Sequence, residues 1–368
     1  MKPNAFSRRR FLQFAAVAGG ALAISAVSRV ARAEETPPAL RARAIALLES
    51  TLSVDIHSHA GGILSRGLKT FNVGAQMKQG RVSAICLSLV SDSPVLGHTT
   101  TKIYAGRQPK PGELHAHMLE RMDLADRLIK QYDMARILTL ADLTASKTKG
   151  IPGVILATEG SDFLDEKLEN LETAYRRGVR HWQLVHYRAG AGVGDIQTED
   201  PVHNGATPFG LDVVRACNRL GMVVDVAHAT LPTVKQIVKV ATAPLVLSHT
   251  SYSRILRPQS RLIDSEHAKL IADTGGVIGI WGNGFTFSGY AGYAEGMAKL
   301  AEVVGVDHVA IGTDVDGLLK AMFNSYNDFP DLVAHLFAHF NDDEVKKIVG
   351  GNYLRVFDKI TRASTETK

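Results

Sequence analysis

The run PLVLSH, Pro244 to His249, has the look of a buried strand, yet it ends in an imidazole. MVVDVAH ends the same way in His228, VDIHSH carries His57 and His59, and WQLVH carries His186. Two acids stand at equivalent places, Glu159 in ILATEG and Asp314 in IGTD. A buried strand gains nothing from a polar tip unless something there binds it, because burying an unpaired polar group costs free energy. Two residues apart on an extended segment, His57 and His59 point the same way. Imidazoles and carboxylates gathered at one place make a ligand set for a transition metal such as zinc. The chemistry implied is the holding of a metal ion.

Such a set works only if distant segments are brought together. Apolar runs at 52–57, 82–90, 153–160, 180–187, 221–228, 243–249, 275–283 and 307–314 alternate with helical patterns such as LENLETAYRRG and LDVVRACNRLG. Several helical patterns stop at Gly just before the next strand, a common C-terminal cap. Strand and helix in alternation predict a parallel sheet covered by helices, and eight such units match a (β/α)₈ barrel. In that fold the C-terminal ends of all eight strands share one face. An open doubly wound sheet fits less well, since no GxGxxG follows the first strand and polar ends mark most strands.

Other features are assigned no chemistry. His335 and His339 in HLFAHF lack the Glu of a HExxH motif. His115 and His117 are read as solvated, and His98, His203 and His267 as lying in polar loops or helix starts. AGAGVGD (189–195) lacks the Lys-Ser/Thr of a phosphate loop and is read as a βα loop near the site. Cys86 and Cys217 sit in apolar patterns and are expected to be small buried hydrophobes rather than a disulfide.

Residues 1–33 form a separate kind of text. SRRRFLQ precedes the apolar run FAAVAGGALAISAV, and ARA ends at Ala33. This is the layout of a secretory signal peptide with a twin-arginine pair. It predicts a periplasmic or secreted protein without a stable membrane anchor. The segment holds Lys2, Arg8, Arg9, Arg10, Arg29 and Arg32 and no acid, so its removal changes the formal charge from +5 to −1. A basic surface for nucleic acid is therefore not expected. Residues 34–358 are read as one catalytic domain, with 359–368 as a fraying tail and Asn341 as a helix cap before acidic residues.

The segments VDIHSH, ILATEGSDFL, WQLVH, NRLGMVVDVAH, PLVLSHTSYSR, IGTDVDG and GGNYLRVF together resemble the membrane dipeptidase (renal dipeptidase) family of metallopeptidases, within the amidohydrolase superfamily. The resemblance runs from about residue 50 to 358. It implies a (β/α)₈ barrel with two zinc ions: His57 and His59 on the first, His228 and His249 on the second, and Glu159 bridging. It also implies that His186 steadies the tetrahedral intermediate and that Asp314 is the acid beside a bridging hydroxide. The chain departs from the family twice. Where the family has His-x-Asp, this chain has His57-Ser58-His59, with one negative charge fewer. Where the family has an Arg-Asn pair whose Arg takes the substrate carboxylate, this chain has RILRPQSRLIDSE. Arg261 is the candidate there, with Arg254 and Arg257 nearby.

The expected substrate is a dipeptide or related small amide, and a second copy of the chain is left open as a partner. Two alternatives stand beside this reading. A lactonase or phosphotriesterase-like hydrolase also uses HxH, but bridges its metals with a modified lysine that WQLVHY lacks. A metal-binding protein without turnover would have no use for His186 and Asp314.

Overall fold

The structure, a computed structural model, describes residues 36–64, 72–189 and 192–366, and for 363–366 the backbone alone. The expected signal segment lies outside the described residues.

Eight parallel strands follow one another around a barrel: β1 Val54–Ser58, β2 Ala84–Val90, β3 Gly153–Glu159, β4 Val179–Gln183, β5 Val223–Asp225, β6 Val246–Thr250, β7 Val277–Ile280 and β8 Val309–Ile311. Each pairs with its neighbours in chain order. β8 returns to β1 through Asp314 N–H to His57 O (3.0 Å) and His59 N–H to Val315 O (3.0 Å). The fold is the expected (β/α)₈ barrel. Every residue of β1, β2, β3, β6, β7 and β8 is buried, as a sheet covered on both faces requires.

The covering helices begin and end on local signals. Thr207 caps Pro208–Leu220 by accepting from Gly210 N, and Gly221 (φ +73°) ends it ahead of β5. Asn341 caps Asp342–Lys346 in a reciprocal box with Glu344, as anticipated.

The core has two parts. One lies between barrel and helices. The other fills the lower barrel with Val54, Ile56, Cys86, Ile155 and Val246, and is closed by Tyr353 and Phe357 from the last helix, Asn352–Glu366. The tail expected to fray from 359 instead continues this helix, because Ile360 and Thr361 are buried. Cys86 and Cys217 are buried and unpaired with each other. A Cys86 Sγ to Tyr353 Oη contact of 3.2 Å ties strand to floor.

Strands are shorter than their apolar runs. His186, His228 and Asp314 lie beyond the ends of β4, β5 and β8, on the loops that begin the upper face. His228 (φ +68°) and Asp314 (φ +55°) adopt left-handed backbone, a conformation that costs on the order of 1 kcal/mol or more for a non-glycine residue.

Candidate metal centre and catalytic cavity

Glu159 ends β3 with its carboxylate at the centre of the upper face. Its Oε1 lies 3.5 Å from His57 Nε2, 3.4 Å from His228 Nε2, 3.5 Å from His249 Nε2 and 3.3 Å from His186 Nε2. Oε2 lies 3.3 Å from His59 Nε2. His57 and His59 approach each other at 3.2 Å through Nε2, and His228 and His249 at 3.0 Å. Asp314 Oδ1 is 3.3 Å from His59 Nε2. The structure thus brings all seven strand-end residues together, and none of them is more than 7% exposed.

Each ring is aimed by its second nitrogen. A register irregularity between Asp55 and Ser58 turns the end of β1, the kind of bulge that re-aims a side chain. His57 Nδ1 there meets Ser88 Oγ (3.1 Å) and Ser248 Oγ (3.2 Å). His59 Nδ1 donates to Ser88 O at 3.1 Å, and Ser248 Oγ lies 2.9 Å from His249 Nδ1. Such partners fix the tautomer and leave Nε2 free to ligate. His228 Nδ1 has no hydrogen-bond partner among the described residues. Gly160 (φ +86°) follows Glu159 where a Cβ would stand 2.6 Å from Ser91 Oγ and 2.8 Å from Asp162 Oδ2. Gly317 packs against the site so closely that a Cβ would sit 2.3 Å from Asp314 Oδ1 and 2.4 Å from His59 Cδ2.

The electrostatics prepare Glu159, His228 and His249 as ligands and leave His59 with a proton to release to a cation. Burial opposes charge on Glu159, but the charges of His186 and His57 and hydrogen bonds from His228 and His57 outweigh it, holding the carboxyl well below its usual range. Burial, reinforced by Arg261, keeps His228 neutral far below the usual imidazole range. Burial, with His57 and Arg261, does the same to His249. Burial opposes charge on His59 as well, yet Asp314 and Glu159 raise it to about 10. Neutral imidazole is the form that binds metal. Donor atoms 3.0–3.5 Å apart match the roughly 3.3 Å edge of a tetrahedron with bonds of about 2.0–2.1 Å. Three overlapping groups, His57/His59/Asp314, His57/Glu159/His249 and Glu159/His186/His228, could each hold an ion. Four imidazoles around a carboxylate fit a cation of zinc type.

Several working residues carry no strand-end signature. Asp92, fully buried after β2, accepts from His186 Nδ1 at 2.6 Å and from Tyr187 N at 3.1 Å. Burial opposes charge on His186, but Asp92 and Glu159 raise its pKa. Ser88 and Ser248, which orient the rings, are polar interruptions in otherwise apolar runs. That is the same signal that exposed the histidines, applied two residues and one residue earlier.

Arg261 borders the cavity, 9% exposed, with Nη1 donating to Gln197 Oε1 at 2.6 Å and Nη2 to His249 O at 3.3 Å. Its guanidinium stacks over Trp281 at 5.4 Å and has no carboxylate within salt-bridge distance among the described residues. Arg254 and Arg257 are exposed and do not line the cavity. His117, expected in solvent, is half-buried and meets Ser93 Oγ at 2.9 Å. His267 is likewise buried, at the third position of its helix. In the AGAGVGD loop, residues 190 and 191 lie outside the described residues. Asp195 ties the loop down by accepting from Val202, His203 and Gly205 N–H.

A barrel of this kind with a buried cluster of imidazoles and carboxylates defines the class of metal-dependent amidohydrolases. The model of the membrane dipeptidase family (peptidase family M19) matches residues 41–368, and the chain belongs to that family of metallopeptidases. It is 26% identical over 309 residues to the dipeptidase verJ of Clonostachys rogersoniana, covering 80% of this chain and 76% of the relative. To the dipeptidase tcpJ of Claviceps purpurea it is 25% identical over 268 residues, or 69% and 63% of the two chains. Among solved structures, the probable dipeptidase PvdM of Pseudomonas aeruginosa superposes with a TM-score of 0.75 at 18% identity, over 89% of this chain and 99% of that one. A metallopeptidase of Rhodobacter sphaeroides, liganded with a phosphinate mimic of the dipeptide L-Ala-D-Ala, gives 0.69 at 19% identity, over 84% and 99%. These two establish likeness of fold. The family sets the class of activity, metal-dependent hydrolysis of dipeptides.

Proposed function

We propose that the protein hydrolyses a dipeptide or related small amide at a centre of two zinc ions. His57 and His59 would hold one ion, His228 and His249 the other, and Glu159 would bridge them. Bound there, the pair supplies Lewis acidity, polarising the scissile carbonyl and lowering the pKa of a water from about 15.7 to roughly 7. The observation that carries the reading is the approach of four imidazole Nε2 atoms to one carboxylate, each within 3.5 Å.

The chain's own groups supply the rest. Arg261, a buried guanidinium without an ion-pair partner among the described residues, suits the free carboxylate of the substrate, since an unpaired buried charge is costly. That contact sets which amide bond reaches the centre. His186, held by Asp92 through Nδ1, presents Nε2–H to the oxyanion that develops on the carbonyl, a bond that strengthens as charge forms. Asp314 Oδ1 takes the proton from the attacking water and delivers it to the leaving nitrogen. Export by the twin-arginine route is part of the proposal and rests on Ser7–Gln13 and the Ala33 site. N-terminal sequencing of periplasmic protein should begin at Glu34.

The test is a panel of L,L- and L,D-dipeptides, N-acyl amino acids and lactones on zinc-reconstituted enzyme, with metal content measured in parallel. Amides with a free carboxylate should turn over, and Arg261→Ala should raise KM more than it lowers kcat. Turnover of lactones alone sinks the amide reading. One tightly held ion in place of two removes the two-metal centre.

A further inference from the structure

From the mouth of the cavity we infer that the enzyme prefers amides whose acyl side is apolar and uncharged, namely N-acyl amino acids, over dipeptides with a free α-ammonium. This rests on the amide-hydrolase reading above and names its substrate class.

The cavity, about 450 Å³, has a polar floor and an apolar entrance. Leu96, Lys102 and Ile103 come from the antiparallel hairpin Leu96–His98 and Ile103–Ala105 and its turn. Phe285 and Leu319 come from the loops after β7 and β8, which are tied by Gly284 N–H to Lys320 O (2.8 Å) and Met322 N–H to Gly282 O (2.9 Å). Leu64, Phe285 and Leu319 remain 39%, 55% and 41% exposed. Large apolar side chains grouped around a cleft are uncommon on a soluble surface and mark a ligand's apolar part.

The charges point the same way. The acids lining the cavity are Glu159 and Asp314, and both already face imidazoles, at 3.3–3.5 Å and 3.3 Å. Its remaining charged side chains, Lys102 and Arg261, are cationic. Of the acids nearby, Asp92 is engaged with His186 and Asp162 with Arg188, and Asp316, between Asp314 and Gly317, does not line the cavity. Arg261 thus offers a partner for a carboxylate, whereas among the described residues no uncommitted carboxylate lines the cavity to receive an ammonium. Any cations held by the histidines increase the imbalance. An ammonium taken out of water without a partner is disfavoured, while an alkyl chain in its place gains apolar contact.

A matched pair tests this: Leu-Ala, and 4-methylpentanoyl-alanine, which differs only in lacking the α-amine, each with L- and D-alanine. At pH 6.5 the desamino compound should have the higher kcat/KM by about tenfold or more, the equivalent of one uncompensated charge contact. The gap should narrow as pH rises past about 8, where the substrate amine loses its proton. Equal or reversed values at pH 6.5 overturn the inference. Lys102→Glu, which places an exposed carboxylate at the entrance, should shrink the ratio several-fold, and an unchanged ratio counts against the charge argument. Lengthening the acyl chain from two to eight carbons should raise kcat/KM by roughly threefold per methylene until the entrance is full. A flat series removes the apolar half. Failure of both members of the pair to react overturns the amide-hydrolase reading itself, a result distinct from a preference for the amine.

Discussion

Two histidine–aspartate pairs, one on β4 and one just past its end, do different things. His181, within β4, lies 3.0 Å from Tyr353 Oη through Nδ1 and 3.0 Å from Asp225 Oδ2 through Nε2. Asp225 also accepts from Ala227 and Ser248 N–H, so the pair is closed within the barrel. His186, just past the end of β4, has Nδ1 on Asp92 and Nε2 facing Glu159 in the cavity. Both histidines are buried and both have an acid. A buried imidazole–carboxylate pair is therefore no sign of catalysis by itself. What separates the two is whether the second nitrogen is already satisfied by protein. His267 adds a third condition, an Nε2 that is buried without a hydrogen-bond partner among the described residues.

The sharpest break of this comparison is at the open end. Asp314→Asn should lower kcat by about 10³-fold while zinc content measured by mass spectrometry is unchanged. A near-normal rate would remove Asp314 from proton transfer. At the closed end, His181→Ala should cost about 3–4 kcal/mol in urea unfolding, because it leaves Asp225 buried and unpaired. The kcat of the molecules that remain folded should not move. If kcat falls and stability holds, the two pairs are not different in kind.

His267 tests the third condition through pH. Burial lowers its pKa to about 4, against about 6.5 in the unfolded chain. The folded state resists the proton, so its stabilising contribution is present above pH 6.5 and is lost as pH falls toward 4. The loss should reach about 3 kcal/mol, read as the difference between wild type and His267→Leu in urea unfolding across that window. A variant with the same pH slope as wild type would show that His267 finds a partner. The smallest effect is expected from Asp92→Asn, roughly 10- to 100-fold in kcat with little change in unfolding midpoint. Equal losses of activity and stability would make Asp92 a structural acid like Asp225.

The rim was legible because its signal is local. A polar residue at the end of an apolar run, as in PLVLSH or ILATEG, is visible without knowing the fold, and strand–helix alternation supplies the geometry that gathers such ends. Asp92 was not legible. It stands in a loop sequence, SLVSDSP, that reads as an ordinary turn, and its partner is 94 residues away. The turn of His57 by the irregularity in β1 was equally hidden, since a strict alternation of faces has no term for a bulge. His181 sits inside RHWQLVH beside His186, and composition alone does not say which of the two faces the floor. The tail was misread because ASTETK is polar, while the residues that dock the helix, Ile360 and Thr361, precede it.

The helix Asn352–Glu366 closes the lower barrel with Tyr353 and Phe357, nearly three hundred residues along the chain from the first strand that it covers. Until it docks, Val54, Ile56 and Val246 line a tube open at one end. A chain clipped within this helix thus presents its apolar interior to chaperones and proteases rather than a finished enzyme.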